Sequence, residues 1–86
     1  MDVVGKVEEI IVKIEPFLNA KYIGSDTANQ QGQLYTDAAD FVFELPDGTR
    51  ASFCVSGRDC IQYNQALMLE DLIRTKANLA FNSSTP

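Results

Sequence analysis

Leu45-Pro46-Asp47-Gly48-Thr49 joins two segments that alternate apolar with polar residues, Phe41-Val42-Phe43-Glu44 before it and Arg50-Ala51-Ser52-Phe53-Cys54-Val55 after it. Alternation with a period of two is the pattern of a strand with one buried face, and a Pro-Asp-Gly step between two such runs predicts a β-hairpin. Two registers compete. A two-residue Asp-Gly loop sets Phe43 opposite Ser52 and Leu45 opposite Arg50, which divides the apolar residues between the faces. A three-residue loop puts Pro46 at the first turn position and Gly48 in the left-handed conformation that glycine adopts without a Cβ clash. It pairs Leu45 with Thr49, Phe43 with Ala51, Phe41 with Phe53 and Glu44 with Arg50. Slipping a strand by one residue turns its whole apolar set outward, so the register that keeps the phenylalanines together is expected.

Working outward, Val3, Val7, Ile10, Ile14 and Phe17 recur at steps of three and four, the spacing of one helical face, with Val4, Ile11 and Leu18 widening the stripe. Asp2 can cap this helix, and Pro16 should end or kink it near Glu15. Ala20 to Ile23 is expected as a short strand. The polar, Gly-punctuated residues 24–33 are expected as a mobile loop. After the hairpin, Ser56 is an N-cap candidate, with Asp59 three residues on in place of the usual Glu. The last helix should then run unbroken to about Phe81, with Ile61, Met68, Leu72 and Leu79 in one apolar row and Leu69, Ile73 and Ala80 in another. Residues 82–86 should fray. The fold class is α+β: one domain over residues 1–86, with two layers. An N-terminal helix and a C-terminal helix pack on the same face of a two- or three-stranded antiparallel sheet.

The residue inventory restricts the chemistry. The 86 residues include no His, so Ser-His and Cys-His nucleophile activation and imidazole metal ligation are absent. The five glycines stand apart and form no phosphate loop. Neither a catalytic residue, a metal ligand set nor a cofactor is expected. A net charge of −5 argues against direct contact with nucleic acid or an anionic membrane. With no basic leader and no long apolar run, a cytoplasmic protein is expected, in the host cytoplasm if phage-encoded. Cys54 and Cys60 are expected as free thiols.

Charge is unevenly placed. Asp26, Asp37, Asp40, Glu44 and Asp47 fall between Tyr22 and Thr49, a span without Lys or Arg, while the rest of the chain balances seven acids against seven bases. The hairpin register puts Asp40 and Glu44 on the outer face of the sheet, with Asp37 and Asp47 at its ends. Plain solvation is one reading of these acids; a contact surface for a basic partner is the other. Tyr35, and Tyr63 beside Asn64 and Gln65, add polar-aromatic contact residues. The leading expectation is a small non-enzymatic interaction module or inhibitor that docks on a Lys/Arg-rich protein, such as a nucleic-acid-binding one. Phage-encoded inhibitors of host nucleic-acid machinery, anti-CRISPR proteins among them, share this description by analogy. Two alternatives stand beside it. One is a self-assembling or assembly-factor protein, a homodimer for instance, using a strand edge or the second helix. The other is a small thiol enzyme using Cys60, whose position in a first helical turn near Arg58 should lower its pKa.

Overall fold

In the computed structural model, the described residues are 3–26 and 38–83. They run α1 (Val3–Ile14), a 3-10 turn (Glu15–Phe17), β1 (Lys21–Asp26), β2 (Ala38–Glu44), β3 (Arg50–Ser56), α2 (Gly57–Gln62) and α3 (Ala66–Ser83). The three strands form one antiparallel sheet in the order β1-β2-β3.

The hairpin adopts the three-residue loop. Leu45 N–H donates to the Thr49 carbonyl at 2.8 Å, and Gly48 N–H donates to the Leu45 carbonyl at 2.9 Å. Gly48 has φ +88°, the region in which a Cβ is strained. Asp47 Oδ1 accepts from the Thr49 N–H at 3.0 Å and from its hydroxyl at 2.6 Å, which ties the loop to the start of β3. The ladder then pairs Glu44 with Arg50, Phe43 with Ala51 and Phe41 with Phe53.

One face of this sheet is the core. Ala39, Phe41 and Phe43 of β2 and Ala51, Phe53 and Val55 of β3 are all buried. Phe43 lies at the centre, its ring 5.2 Å from Tyr22, 5.7 Å from Phe53 and 5.4 Å from Phe81. Val3, Val7, Ile10, Ile11 and Ile14 of α1 and Leu69, Ile73 and Ala77 of α3 close over the same face. The architecture is therefore α+β, with the N-terminal and C-terminal helices on one side of a three-stranded sheet. Two acids on the helix side hold β1 down: the Tyr22 hydroxyl donates to Glu8 at 2.6 Å, and the Tyr22 N–H donates to Glu15 at 2.8 Å.

The structure departs from the sequence expectations at several elements. Pro16 ends α1 at Ile14, and the tighter 3-10 winding that follows rotates Phe17 off the apolar stripe, leaving it 79% exposed. β1 runs three residues past Ile23, because β2 offers Gly24, Ser25 and Asp26 a ladder to pair with. The rest of the expected loop, residues 27–33, lies outside the described residues, as does the Asp2 cap. Asn82 and Ser83 continue α3 instead of fraying, and residues 84–86 are outside the described set.

The largest departure is in the last helix, which is two helices. The expected cap of α2 is present as a reciprocal box, with Ser56 Oγ accepting from the Asp59 N–H and Asp59 accepting from the Ser56 N–H, both at 3.1 Å. However, Tyr63 leaves helical geometry, and α3 restarts with Leu69 N–H donating to the Gln65 carbonyl. An unbroken helix at about 100° per residue sets Cys60 and Leu69 about 180° apart. Both are buried in the core, so the chain has to break between them. The break turns the Leu69-Ile73-Ala77 row inward and leaves Ile61, Met68 and Leu79 of the other row exposed.

Candidate docking face

Among the described residues, neither α1 nor α3 covers the second face of the sheet, and the register determines what it presents. β1 carries a bulge at Ile23: Tyr22 pairs with Phe43, whereas Gly24 pairs with Val42. With that extra residue Tyr22 faces the core while Asp26 faces outward; a regular ladder that paired Asp26 with Asp40 would turn Tyr22 away from Phe43. Three rows of residues then cross the outer face. Lys21, Glu44 and Arg50 form the row nearest the turn, Gly24, Val42 and Ser52 the middle row, and Asp26, Asp40 and Cys54 the far row.

This arrangement divides the acids that the sequence reading grouped together. Glu44 sits between two bases, so the turn-side row carries net positive charge; Lys21 as a neighbour of Glu44 was not anticipated, because the β1–β2 register depends on the bulge. Asp47 lies in the turn, exposed, and the Thr49 hydroxyl and N–H hold its carboxyl below the usual carboxylate range. The far row is acidic. Asp26 and Asp40 stand as direct cross-strand neighbours, about 4.5–5.5 Å apart at Cα by ladder geometry. Asp37 and Tyr35 lie outside the described residues. Tyr63 caps the end of α2, half-buried against the core.

The thiols are electrostatically distinct from a nucleophile. Cys54 shows on the outer face opposite Asp40, and partial burial followed by the Asp40 charge pushes its thiol pKa up. Cys60 is 2% exposed, and burial raises its pKa too, contrary to the lowering expected from its helix position. The helix around it spans only Gly57–Gln62, and desolvation outweighs the short helix's field. Both directions favour the thiol over the reactive thiolate.

Among the described residues, no three Cys, Asp or Glu side chains gather into a metal site, and no helix is long and apolar enough to cross a membrane. Among the described residues, the surface best defined by fold and register is thus the sheet face opposite α1 and α3, with an acidic end. No protein-family model, curated protein or solved structure matches the chain.

Proposed function

We propose that the chain is a small acidic protein-docking module whose outer sheet face, at the Asp26–Asp40 end, engages a Lys/Arg-rich protein surface. The observation that carries this reading is the Asp26–Asp40 pair. Two carboxylates in one row of the sheet face concentrate negative charge where a cationic partner can pair with both. Clustered charge of one sign also speeds association with an oppositely charged surface. Nucleic-acid-binding proteins carry such basic surfaces, and covering one makes the module an inhibitor of its activity. The test is paired capture from a lysate by the wild-type protein and by Asp26→Lys/Asp40→Lys, at low and high salt. Proteins of high isoelectric point should be retained by the wild type at low salt and lost by the variant. An unchanged set of captured proteins refutes the reading.

A second reading is favoured by α3. Met68 and Leu79 are 44% and 66% exposed on one stripe of this helix, with half-buried Leu72 between them. Two copies packed through this stripe form a homodimer. Light scattering over a concentration series separates the two readings: an apolar dimer persists at high salt, whereas an electrostatic complex weakens.

A further inference from the structure

The ladder determines which backbone groups face the two edges of the sheet. Leu45 N–H bonds the Thr49 carbonyl, and the rungs of an antiparallel pair bond alternately. Phe43 and Phe41 therefore turn their N–H and C=O groups toward β3, while Glu44, Val42 and Asp40 turn theirs toward β1. Tyr22 pairs with Phe43 and Ser25 with Phe41, so both direct their backbone groups away from β2, to the far edge of β1. On β3 the same alternation sends the Ser56 N–H outward. A carboxylate takes one such N–H at each edge: Ser56 N–H donates to Asp59 at 3.1 Å, and Tyr22 N–H donates to Glu15 at 2.8 Å.

The two bonds have different origins. On β3 the bond belongs to the capping box that starts α2. No helix starts at Tyr22; Glu15 reaches it from the 3-10 turn, seven residues earlier, and the bond is part-buried. An unpaired strand edge is a template for another strand, and proteins protect such edges with bulges and charged side chains. β1 has both, the bulge at Ile23 and the Glu15 carboxylate. Among the described residues no strand pairs with this edge. Its sequence is also self-complementary. When β1 pairs antiparallel with β1 of a second copy about a two-fold axis, Tyr22 lies opposite Ser25, so the edge-facing groups of each strand meet those of the other. The same register sets Lys21 opposite Asp26, a pair of unlike charge on the outer face. A second copy is thus the strand that this edge accepts once it is opened.

We propose that Glu15 guards the β1 edge: by accepting the Tyr22 N–H, its carboxylate withholds the donor that β1 of a second copy needs, and so keeps the sheet at three strands. An incoming strand has to displace a charged acceptor from a part-buried donor, and hydrogen bonds to charged groups are the stronger class. The guard concerns the edge of the sheet and not its outer face, so it stands apart from the docking reading, and its test alters neither Asp26 nor Asp40.

The test compares the wild type with Glu15→Ala, Glu15→Gln and Tyr22→Phe. Glu15→Gln keeps an acceptor for the Tyr22 N–H. Tyr22→Phe removes the hydroxyl bond to Glu8 and leaves the edge bond in place, which controls for lost stability. Hydrogen exchange followed by NMR at low concentration should show the residue 22 amide exchanging at least about tenfold faster in Glu15→Ala and little changed in the other two. Sedimentation velocity over a concentration series should show Glu15→Ala associating beyond the wild type, and the other two matching it. In a mixture of ¹⁵N-labelled and ¹³C-labelled Glu15→Ala, contacts between copies should join residue 22 to residue 25. An unchanged residue 22 amide in Glu15→Ala, association no greater than that of the wild type, association as strong in Glu15→Gln or Tyr22→Phe, or contacts between copies at α3 instead of β1 each overturn the assignment.

Discussion

Phe43 and Phe17 are the same residue in opposite settings, and truncating each to alanine tests the account of the core. Phe43 has no exposed surface and touches three other rings; Phe17 is 79% exposed. Removing a fully buried phenyl ring costs about 3–5 kcal/mol, the transfer term plus the cavity it leaves. A chain of this length is stable by roughly 4–13 kcal/mol, so Phe43→Ala removes a large share of the total. Phe17→Ala loses no core contact and should stay within about 0.5 kcal/mol. Urea titration followed by circular dichroism reads both. With an m-value of about 1.5 kcal/mol per M, the Phe43→Ala midpoint falls by about 2–3 M, or the variant is unfolded without urea. The Phe17→Ala midpoint should move by no more than about 0.3 M. Equal shifts, or a larger one for Phe17→Ala, would refute the assignment of the inner sheet face and of the turn that carries Phe17 out of it.

Gly48→Val should cost about 1–2 kcal/mol from backbone strain alone, because a Cβ there meets no other atom within 4 Å; unchanged thermal stability would exclude the left-handed turn. Burial, then the hydrogen bond to Glu8, raises the Tyr22 pKa, so the folded state favours the neutral phenol. That contribution is complete below the unfolded pKa of about 10 and is lost as pH rises beyond it, by up to about 1.4 kcal/mol per pH unit. Stability measured from pH 9 to 11.5 should therefore fall more steeply in the wild type than in Tyr22→Phe, and parallel curves would contradict it. In the native protein, alkylation at neutral pH should label Cys54 slowly and leave Cys60 untouched until denaturant is added; mass spectrometry of digests that finds native Cys60 labelled at the Cys54 rate would contradict its burial.

Local signals were legible and long-range choices were not. The hairpin and its loop followed from Phe41 to Val55 because alternation, the Pro-Asp-Gly step and face consistency all act within a few residues. The Ser56–Asp59 cap was readable for the same reason. The break at Tyr63 was not, since periodicity identifies apolar rows on a helix but not which row meets the sheet. Only the joint burial of Cys60 and Leu69 rules out one continuous helix. Phe17 fitted the α1 stripe by spacing, and its exposure came from the change of winding after Pro16. At the candidate face, Asp40 and Glu44 were correctly placed outward by the β2–β3 register. Their division into a net positive row and an acidic row depends on Lys21 and Asp26, which reach those positions through a bulge that no residue pattern announces. The bonds of Glu8 and Glu15 to Tyr22 have no local signal either, since they join residues 14 and 7 positions apart and form only once β1 is in place.

The central claim is that the Asp26–Asp40 pair is a docking surface rather than a solvated edge. It is tested most directly by the affinity of a captured basic partner for the wild type and for Asp26→Lys/Asp40→Lys, measured by titration calorimetry over a salt series, with folding of both checked by circular dichroism. The account predicts two equally folded proteins, with wild-type affinity falling as salt rises and the variant binding at least about tenfold more weakly at low salt. Equal affinities with the same salt dependence would contradict it.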